Sequence, residues 1–452
     1  MRVEPHAQPE LIPASLPVRT FTGADQPDVD ILRRCIRCGL CLPSCPTYLE
    51  TFSEASSPRG RIALINAVSE GQLDVTDSGF VEQMYQCLDC RACEAVCPSG
   101  VQYGQLVETA RTQIERARPR PGWQRAGRAA VFGGIFGEAR RFRAVNAALA
   151  LYQRTGAQRL ARRSGLLARF GLARMESLAP ALPATYVAPA GQVYPPLAGV
   201  AQRGRVALFT GCVMSTAFAE TDRATIRVLN ANGFEVVLPE AQQCCGALTI
   251  HSGEMDGGRA LAMRNIEAFE VSGAEYIAVN AAGCGSTLKE YGALLADFLE
   301  WAERARAFSE RVRDITELLA GLLDEGALNT RFAPLPLRVT YQEPCHLAHA
   351  QRITRQPRAL LGALPGVELV EMEEASLCCG SAGVYNVTRP AMADALGDRK
   401  ARNILASGAQ AVVTANPGCA LQVRAALARA GSDMPVLHIV DLLDAAYRGR
   451  LP

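Results

Sequence analysis

The sequence has no long apolar run and no apolar segment near its start. The longest candidate, Ala129 to Phe136, contains two glycines and falls well short of the roughly 18 residues that cross a bilayer. The first 20 residues carry prolines and acids where a secretory signal would have an apolar core. We therefore expect a protein that is made and kept in the cytoplasm.

A glycine-rich nucleotide loop is also missing. No GxGxxG follows a predicted strand, so we expect this chain to bind no flavin or dinucleotide by itself. Net charge is low, at +2 over 452 residues, and 49% of the residues are hydrophobic. This composition excludes a disordered, collagen-like or wholly coiled-coil protein, and the length suggests about three domains.

Cysteine, by contrast, is abundant: the chain contains 16 of them. In a long cytoplasmic chain such a number indicates metal or redox chemistry, whereas in a small secreted protein it would indicate disulfides. The cysteines fall into two groups of eight, with none between Cys97 and Cys212.

The first eight cysteines form two runs of the pattern CxxCxxCxxxCP. In bacterial ferredoxins this run binds [4Fe–4S] clusters, with the fourth cysteine of each run bound to the other cluster. The first cluster is therefore predicted to use Cys35, Cys38, Cys41 and Cys97, and the second Cys87, Cys90, Cys93 and Cys45. Two zinc knuckles are the alternative, but zinc usually takes separated CxxC pairs.

Two prolines and two arginines accompany these runs. We expect a helix to begin at the proline after each fourth cysteine, at Pro46 and at Pro98. Between the runs, Pro58 and the apolar spacing from Ile62 to Val68 predict another helix. Arg59 and Arg61 at its start either offset thiolate charge, dock a partner or lie in solvent.

The middle of the chain is strongly basic. Between Arg111 and Arg174 there are fifteen arginines and two glutamates, interspersed with short apolar stretches that predict arginine-rich helices. Such helices suit an anionic membrane surface or an acidic partner subunit. A solvated linker is the alternative, and nucleic acid is not expected because interleaved aromatics and a recognised nucleic-acid fold are absent.

The second eight cysteines are an internal repeat. They recur 133 to 135 residues apart, as Cys212, Cys244, Cys245 and Cys284, then Cys345, Cys378, Cys379 and Cys419. Each Cys-Cys-Gly (CCG) unit is flanked by predicted strands and helices that alternate. This predicts parallel α/β layering with the cysteines at the carboxyl ends of the strands.

These eight thiols are soft ligands that suit a third metal site, for example a further iron–sulfur cluster. One cluster in each half and a single shared cluster are both compatible with the pattern, as are buried dithiols without metal. His251, His346 and His349 lie near these cysteines in sequence. We expect them to be packed or hydrogen-bonded rather than metal ligands.

Two ferredoxin-type runs followed by two CCG repeats resemble the iron–sulfur subunit of glycolate oxidase (glycolate dehydrogenase). The segment from Glu54 to Ile62 also looks like that subunit's own sequence. The CCG repeats are similar as well to those of the heterodisulfide reductase catalytic subunit. There each repeat usually ends in CxxC, whereas Thr287 and Gln422 occupy the final position here.

The resemblance implies a fold with an α-helical ferredoxin-like domain followed by two duplicated α/β CCG domains. The expected division is an extended or disordered arm (1–25), the ferredoxin domain (26–110), a basic helical linker (111–204), the first CCG domain (205–300), a helical connector (301–336) and the second CCG domain (337–448).

The implied function is electron transfer within an enzyme complex, with no catalytic residue on this chain. A separate FAD-binding subunit would oxidise glycolate or D-lactate, and two [4Fe–4S] clusters here would pass the electrons toward the quinone pool. The complex would attach peripherally to the inner face of the cell membrane, with the basic middle and the helix expected from Pro98 onward as docking surfaces. The alternatives are a heterodisulfide-reductase-like or lactate-utilisation enzyme with chemistry at the CCG domains, and a non-catalytic metal or redox scaffold.

Overall fold

The computed structural model describes residues 18–450. Residues 1–17 of the predicted N-terminal arm lie outside this range. Residues 18–25 have no helix or strand, but they are packed against the body of the protein. Phe21 is buried, and Asp25 forms ion pairs with Arg116 (2.7 Å) and with Arg259.

The region that carries the first eight cysteines consists of helices and loops. Its helices are α1 (Val29–Arg33), α2 (Pro46–Thr51), α3 (Pro58–Ser69), α4 (Ser78–Gln86), α5 (Ala92–Ala95) and α6 (Tyr103–Ala117), with one 3-10 turn at Glu54–Ser56. Apolar residues of α3, α4 and α6 form its core. Ser57 caps α3 by accepting a hydrogen bond from the Gly60 N–H, as the sequence at this helix start favours.

The two prolines after the cysteine runs behave differently. Pro46 is the first residue of α2, as predicted. The prediction of a helix from Pro98 is wrong, because Pro98 lies in a turn and α6 begins at Tyr103. Gly100, with φ of 63°, adopts a left-handed conformation that a continuous helix does not contain.

The basic middle forms short helices with little core of their own. They are α7 (Gly122–Arg128), a π-helical stretch (Ala129–Ile135), α8 (Ala139–Arg154), α9 (Ala157–Arg163), α10 (Leu166–Arg169) and α11 (Ala173–Ser177). Only Phe142 and Ala150 of these helices are buried. Among residues 18–450, no helix combines the length and hydropathy needed to cross a bilayer.

The first CCG repeat surrounds a five-stranded sheet of order β1-β3-β2-β4-β5. The strands are β1 (Val193–Tyr194), β2 (Gly204–Phe209), β3 (Phe234–Val237), β4 (Tyr276–Val279) and β5 (Val312–Asp314), and only the β1–β3 pair is antiparallel. Its helices are α12 (Val213–Thr216), α13 (Ala219–Ala231), α14 (Ala247–His251), α15 (Met255–Glu270), α16 (Ala282–Lys289), α17 (Tyr291–Leu294), α18 (Ala302–Arg311) and α19 (Ile315–Asp324).

The second repeat has a four-stranded, fully parallel sheet of order β7-β6-β8-β9. The strands are β6 (Leu337–Tyr341), β7 (Val367–Leu369), β8 (Ala411–Thr414) and β9 (Val436–His438). The helices are α20 (Arg355–Gly362), α21 (Tyr385–Thr388), α22 (Pro390–Ala406), α23 (Pro417–Arg429) and α24 (Ile439–Arg448), and a π-helical turn covers His346–Ala350.

The duplication extends further than the cysteines indicate. The order β3-β2-β4-β5 equals β7-β6-β8-β9, so β5 and α19 are the counterparts of β9 and α24. Residues 301–336, predicted as a purely helical connector, thus contain the fourth strand of the first repeat. This strand has three residues and follows an arginine-rich helix, so the hydrophobic pattern does not reveal it.

The two repeats pack reciprocally. Helix α13 of the first packs against α24 of the second, and α20 of the second packs against α19 of the first. The ends of the central strands also meet, since the Ala282 N–H donates to the Ala415 carbonyl (3.1 Å) and the Gly283 N–H to Asn416 Oδ1 (3.1 Å). One apolar core therefore runs through both halves, and their strand ends converge.

The ferredoxin-like domain lies across both repeats. On the first, the buried Arg111 of α6 donates to the carbonyls of Cys87 (2.6 Å) and His251 (3.0 Å). On the second, Tyr385 Oη donates to the Gln86 carbonyl (3.0 Å), and His346 Nε2 lies 2.8 Å from the Asp89 carbonyl oxygen. Helix α6 is largely buried, so it offers no free docking surface.

Candidate iron–sulfur sites

The structure brings Cys35, Cys38, Cys41 and Cys97 together around one small pocket. Cys93 of the second run lines the same pocket, so three cysteines of the first run and two of the second meet there, and the crossed assignment of ligands stays a prediction. Cys38 is exposed, and the other four are half-buried. This pocket therefore lies close to the protein surface.

A neighbouring pocket is lined by Cys45, Cys87, Cys90 and Cys93, the predicted second set. Here Cys45, Cys87 and Cys90 are buried. Cys93 borders both pockets, so the two four-cysteine sites are adjacent.

Arg61 gives an independent indication that the second site holds an anionic group. Its side chain is only 1% exposed, yet its guanidinium contacts the Gln83 carbonyl (2.8 Å) and Thr47 Oγ1 (3.0 Å), which are both neutral. Burial alone would lower the pKa of Arg61, but thiolates at Cys87 and Cys45 raise it. A buried cation needs a nearby anion, so the site fits a thiolate-ligated cluster. Arg59, by contrast, pairs with Glu54 at the surface (2.6 Å).

All eight CCG cysteines line a single cavity of about 360 Å³ between the two repeats. They come from the loops after β2, β3, β6 and β7 and from the first turns of α16 and α23, at the carboxyl ends of the strands. Gly246 and Gly380 close the two Cys-Cys turns with φ of 89° and 86°. A Cβ at Gly380 would lie 2.7 Å from the Ala393 carbonyl oxygen, so only glycine fits there. Phe136, Phe142 and Leu178 of the basic middle cover part of this cavity.

Within the cavity each repeat gathers its own four thiols. The Sγ atoms of Cys212 and Cys244 are 3.7 Å apart, and those of Cys345 and Cys378 are 4.0 Å apart. Hydrogen bonds from Cys212 and Cys245 lower the pKa of the Cys244 thiol. Those from Cys378 and Cys419 do the same for Cys379. One thiol of each set is thus favoured as a thiolate, the form that binds metal.

The two sets of four CCG cysteines differ in whether a buried cation lies beside them. Lys400 is buried beside the second set, where it donates to the carbonyls of Glu374 and Ala375 (3.1 Å) and has no carboxylate partner within residues 18–450. Burial lowers its pKa, while the thiolates of Cys379, Cys378 and Cys419 oppose that shift. The residue 135 positions earlier is Asn265, which is neutral and donates to the Cys244 carbonyl (3.0 Å). The second set therefore accommodates more negative charge than the first.

A buried group of charges joins the second cluster site to the cavity. His251 Nδ1 lies 2.9 Å from Glu108 Oε1 and 3.1 Å from Asp89 Oδ2. Arg91 lies 3.3 Å from each of the same two carboxylates. Arg91 also lies 3.0 Å from Glu290 and 3.8 Å from Glu94. Because each of these carboxylates has a cationic partner, the group is an ion-pair network rather than a site for a metal cation. Beside it, Cys90 belongs to one apolar cluster with Cys378 and Tyr385 of the second repeat.

The histidines are hydrogen-bonded. His251 contacts the carboxylates of Glu108 and Asp89. His346 Nε2 lies 2.8 Å from the Asp89 carbonyl oxygen, and His349 Nε2 lies 3.0 Å from the Ser376 carbonyl oxygen. Thr287 and Gln422, at the positions where a fifth cysteine would stand, do not line the cavity. They donate instead to the carbonyls of Gly283 (3.2 Å) and Ala393 (2.9 Å).

The sequence pattern missed several of these residues. Asp89 and Arg91 lie inside a cysteine run, but their partners Glu108 and His251 are distant in sequence. Lys400 is one of only two lysines in the chain, and that rarity was the one available signal. No pattern distinguished the buried Arg61 from the surface residue Arg59.

Three family descriptions match the chain. A 4Fe-4S dicluster domain matches residues 31–101, a cysteine-rich domain matches 206–289 and again 339–424, and the linker region of the glycolate oxidase iron–sulfur subunit matches 123–179. The chain is 42% identical to a probable glycolate oxidase iron–sulfur subunit of Bacillus subtilis, over 91% of this chain and 93% of that protein. It is 35% identical to the glycolate oxidase iron–sulfur subunit of Escherichia coli, over 92% and 94%.

The chain belongs to the family of glycolate oxidase iron–sulfur subunits. It is thus an iron–sulfur subunit of an oxidoreductase, with a dicluster domain followed by two cysteine-rich domains. More distant relatives include a subunit of the CoM/CoB fumarate reductase from Methanothermobacter marburgensis, 30% identical over 95% of this chain and 75% of that protein. A lactate utilization protein of Exiguobacterium is 30% identical over 54% of this chain and 98% of that protein.

The first prediction concerns Arg61 of this iron–sulfur subunit. Replacing it in Arg61→Met leaves the thiolates of the second site without their buried cation, so iron affinity there should fall about 10- to 100-fold. Iron and acid-labile sulfide per chain, measured after timed exposure to a chelator, report this loss. Arg61→Lys should restore part of the retention, and Arg33→Met, at an exposed arginine, should match the unmodified chain. Equal retention in Arg61→Met would contradict the role assigned to this residue.

The second prediction concerns the pH dependence of stability. Burial lowers the pKa of His251, but Asp89 and Glu108 outweigh it and raise the pKa to about 9. The protonated imidazole therefore stabilises the fold fully below pH 6.5, by up to about 3 kcal/mol, and this contribution disappears as the pH rises through about 9. Urea midpoints of the unmodified chain and His251→Gln should differ most at pH 6 and converge by pH 10. A pH-independent difference would contradict the charged state of His251.

Proposed function

We propose that this chain is the electron-accepting subunit of a flavin-dependent 2-hydroxy-acid dehydrogenase whose substrate is glycolate. Oxidation of glycolate to glyoxylate on an FAD-binding partner releases two electrons and two protons, and reduction of a quinone to a quinol consumes both. The observation that carries this proposal is the continuous arrangement of three cysteine sites, from the exposed Cys38 to the buried cavity. Family membership supports the glycolate assignment.

The residues of this chain hold and tune these sites. Cys35, Cys38, Cys41 and Cys97 would hold one [4Fe–4S] cluster, and Cys45, Cys87, Cys90 and Cys93 the other. When bound, the clusters supply one-electron carriers that accept the two electrons of a reduced flavin separately. Arg61 and Lys400 offset thiolate charge at two of the three sites. The eight CCG cysteines would hold a further metal group, and the separate grouping of thiols favours one per repeat.

The basic middle supports peripheral attachment to the inner face of the membrane. Nine large apolar side chains are exposed there: Trp123, Val131, Val145, Leu151, Leu160, Leu166, Phe170, Leu172 and Met175. Five arginines between Arg111 and Arg174 pair with carboxylates, namely Arg116, Arg120, Arg128, Arg162 and Arg174. Apart from the buried Arg111, nine others have no carboxylate within 4.0 Å among residues 18–450: Arg118, Arg125, Arg140, Arg141, Arg143, Arg154, Arg159, Arg163 and Arg169. Exposed apolar groups among unpaired cations suit an anionic lipid surface.

Heterodisulfide reduction and other chemistry at the CCG cysteines are less well supported. The residue at the position of a fifth cysteine in each repeat, Thr287 or Gln422, does not line the cavity and is already hydrogen-bonded. We therefore assign the cavity to electron transfer rather than to disulfide chemistry.

The proposed function predicts a flavoprotein partner. A tagged chain purified anaerobically from its own host should retain an FAD-binding subunit, identified by its flavin absorption, and glycolate should bleach both the flavin and the iron–sulfur absorption. The isolated chain should be reduced by dithionite but not by glycolate, and Cys35→Ala should abolish glycolate-driven reduction of the chain. Oxidation of glycolate by the isolated chain would refute the assignment, and faster reduction by D-lactate would change the substrate.

Membrane attachment predicts binding to vesicles. The complex should sediment with vesicles containing phosphatidylglycerol, should not sediment with pure phosphatidylcholine, and should bind less at high salt. The double variant Leu160→Asp/Phe170→Asp should bind about tenfold or more weakly, because it loses two apolar side chains that would enter the interface. Leu299→Asp, at an exposed leucine outside the basic middle, is the matched control. Equal binding of the double variant and the control would argue against a lipid-facing role.

A further inference from the structure

The three cysteine sites differ in access to solvent. Cys38 is the one exposed residue among the 16 cysteines, all of which lie within the described range. The second site is mostly buried, and Cys90 belongs to the same apolar cluster as Cys378 of the cavity. Because Cys93 borders both of the first two pockets, the sites follow one another from the surface at Cys38 to the cavity between the repeats.

The chain around Cys38 forms an exposed loop with an apolar centre. Ile36 is 68% exposed and Leu40 is 57% exposed, although both are large aliphatic residues. We call residues 33–40, which begin at the last residue of α1, the receiving loop. Uncovered aliphatic side chains next to a redox site indicate a surface that a partner covers.

Arginines lie next to this apolar centre in the sequence. Arg33, Arg34 and Arg37 are exposed, and none has a carboxylate within 4.0 Å among residues 18–450. Many other arginines of the protein do pair with a carboxylate, as the nearby Arg59 does with Glu54. Three unpaired cations next to two exposed aliphatic residues match a partner with an acidic rim and an apolar centre.

We propose that the receiving loop is the surface on which the FAD-binding subunit docks, with acidic side chains of that subunit facing Arg33, Arg34 and Arg37. This inference rests on the proposed function. Electron tunnelling slows steeply with distance, so a flavin must approach the cysteine site that is nearest the surface, and that site lies directly beneath this loop. We do not assign the receiving loop to a lipid surface, because lipid would bring no flavin to this cysteine site. The apolar and basic groups that suit lipid lie in the basic middle.

The receiving loop is held in place before any partner binds. Arg59 Nη1 donates to the Arg37 carbonyl (3.2 Å), while the same guanidinium forms two hydrogen bonds with Glu54 (2.6 and 3.1 Å). Gly39 adopts φ of 85°, and a Cβ there would lie 2.8 Å from Arg59 Nη1. Arg59 is thus a positioning residue, and an ordered loop loses little conformational entropy when it is covered.

The test compares binding and reduction in matched variants of the full chain loaded with its clusters. The probe is the FAD-binding subunit that co-purifies with the unmodified chain, separated and then added back. The receiving-loop variant is Arg34→Glu/Arg37→Glu, and the control is Arg331→Glu/Arg402→Glu, which makes the same charge change at two exposed arginines that have no carboxylate within 4.0 Å among residues 18–450 and lie outside the basic middle. The dissociation constant is measured by calorimetry at two salt concentrations, and reduction is followed by absorption after glycolate addition.

We expect the receiving-loop variant to bind the FAD-binding subunit about tenfold or more weakly, with a smaller salt dependence, because two charge pairs become repulsive. Its glycolate-driven reduction should slow correspondingly at limiting partner concentration. Dithionite should reduce it as it reduces the unmodified chain, which shows that folding and clusters are intact. Ile36→Ser should weaken binding without changing the salt dependence, and the control should behave like the unmodified chain.

The outcomes separate the two proposals. If the receiving-loop variants bind and are reduced like the unmodified chain, or if the control loses binding instead, the docking surface is wrong and the proposed function stands. If the unmodified chain is reduced by dithionite but never through the flavoprotein, the proposed function fails and the docking surface fails with it.

Discussion

The structure depends on neutralising the negative charge of thiolates that are gathered in its interior. Most of the 16 cysteines are buried, and metal-binding thiols must lose their protons. Arg61 and Lys400 are placed beside these thiols and are bound only by neutral groups of the protein. Arg91 and His251 form ion pairs with the carboxylates that lie between the second site and the cavity. Without these cations the thiolate sites would be destabilised by their own charge.

The arrangement of the repeats determines where that charge collects. In each parallel sheet the cysteines follow the carboxyl ends of the strands, where such sheets usually carry their sites. The reciprocal packing of α13 with α24 and of α20 with α19 turns those two edges toward each other. The ferredoxin-like domain then lies across the junction and brings Cys90 into one apolar cluster with Cys378. The packing of this domain on the two repeats therefore places the three cysteine sites next to one another.

Patterns local in sequence were sufficient to predict most of the cysteine chemistry and the repeat. The crossed ligand sets follow from spacing alone, and the structure groups the same residues in two pockets, although metal ligation itself stays a prediction. The strands before the cysteines were also predictable, because each is a short apolar run. The helix expected at Pro98 was wrong because proline suits the first turn of a helix but does not require one, and Gly100 follows it in a left-handed conformation.

Features that depend on contacts between distant segments were not predictable. Strand β5 has three residues, and only its pairing with β4 identifies it as part of the first sheet. Arg59 and Arg61 are two positions apart in one helix, and only the fold shows that one orders a surface loop while the other is buried beside Cys45 and Cys87. The convergence of both CCG sets on one cavity likewise follows from the packing of the repeats and not from either repeat alone.

The reciprocal packing has a consequence for the origin of the chain. In a protein with a single repeat, the surface that is now covered by α13 or α20 of the other repeat would be exposed. A second copy of that protein would be needed to bury this surface. The present interface is what a symmetric homodimer of such a protein would form, joined here into one polypeptide. Once the two copies were fused, each could change independently. Asn265 and Lys400 occupy equivalent positions in the repeats and record that divergence, with one half neutral and the other cationic around the same arrangement of cysteines.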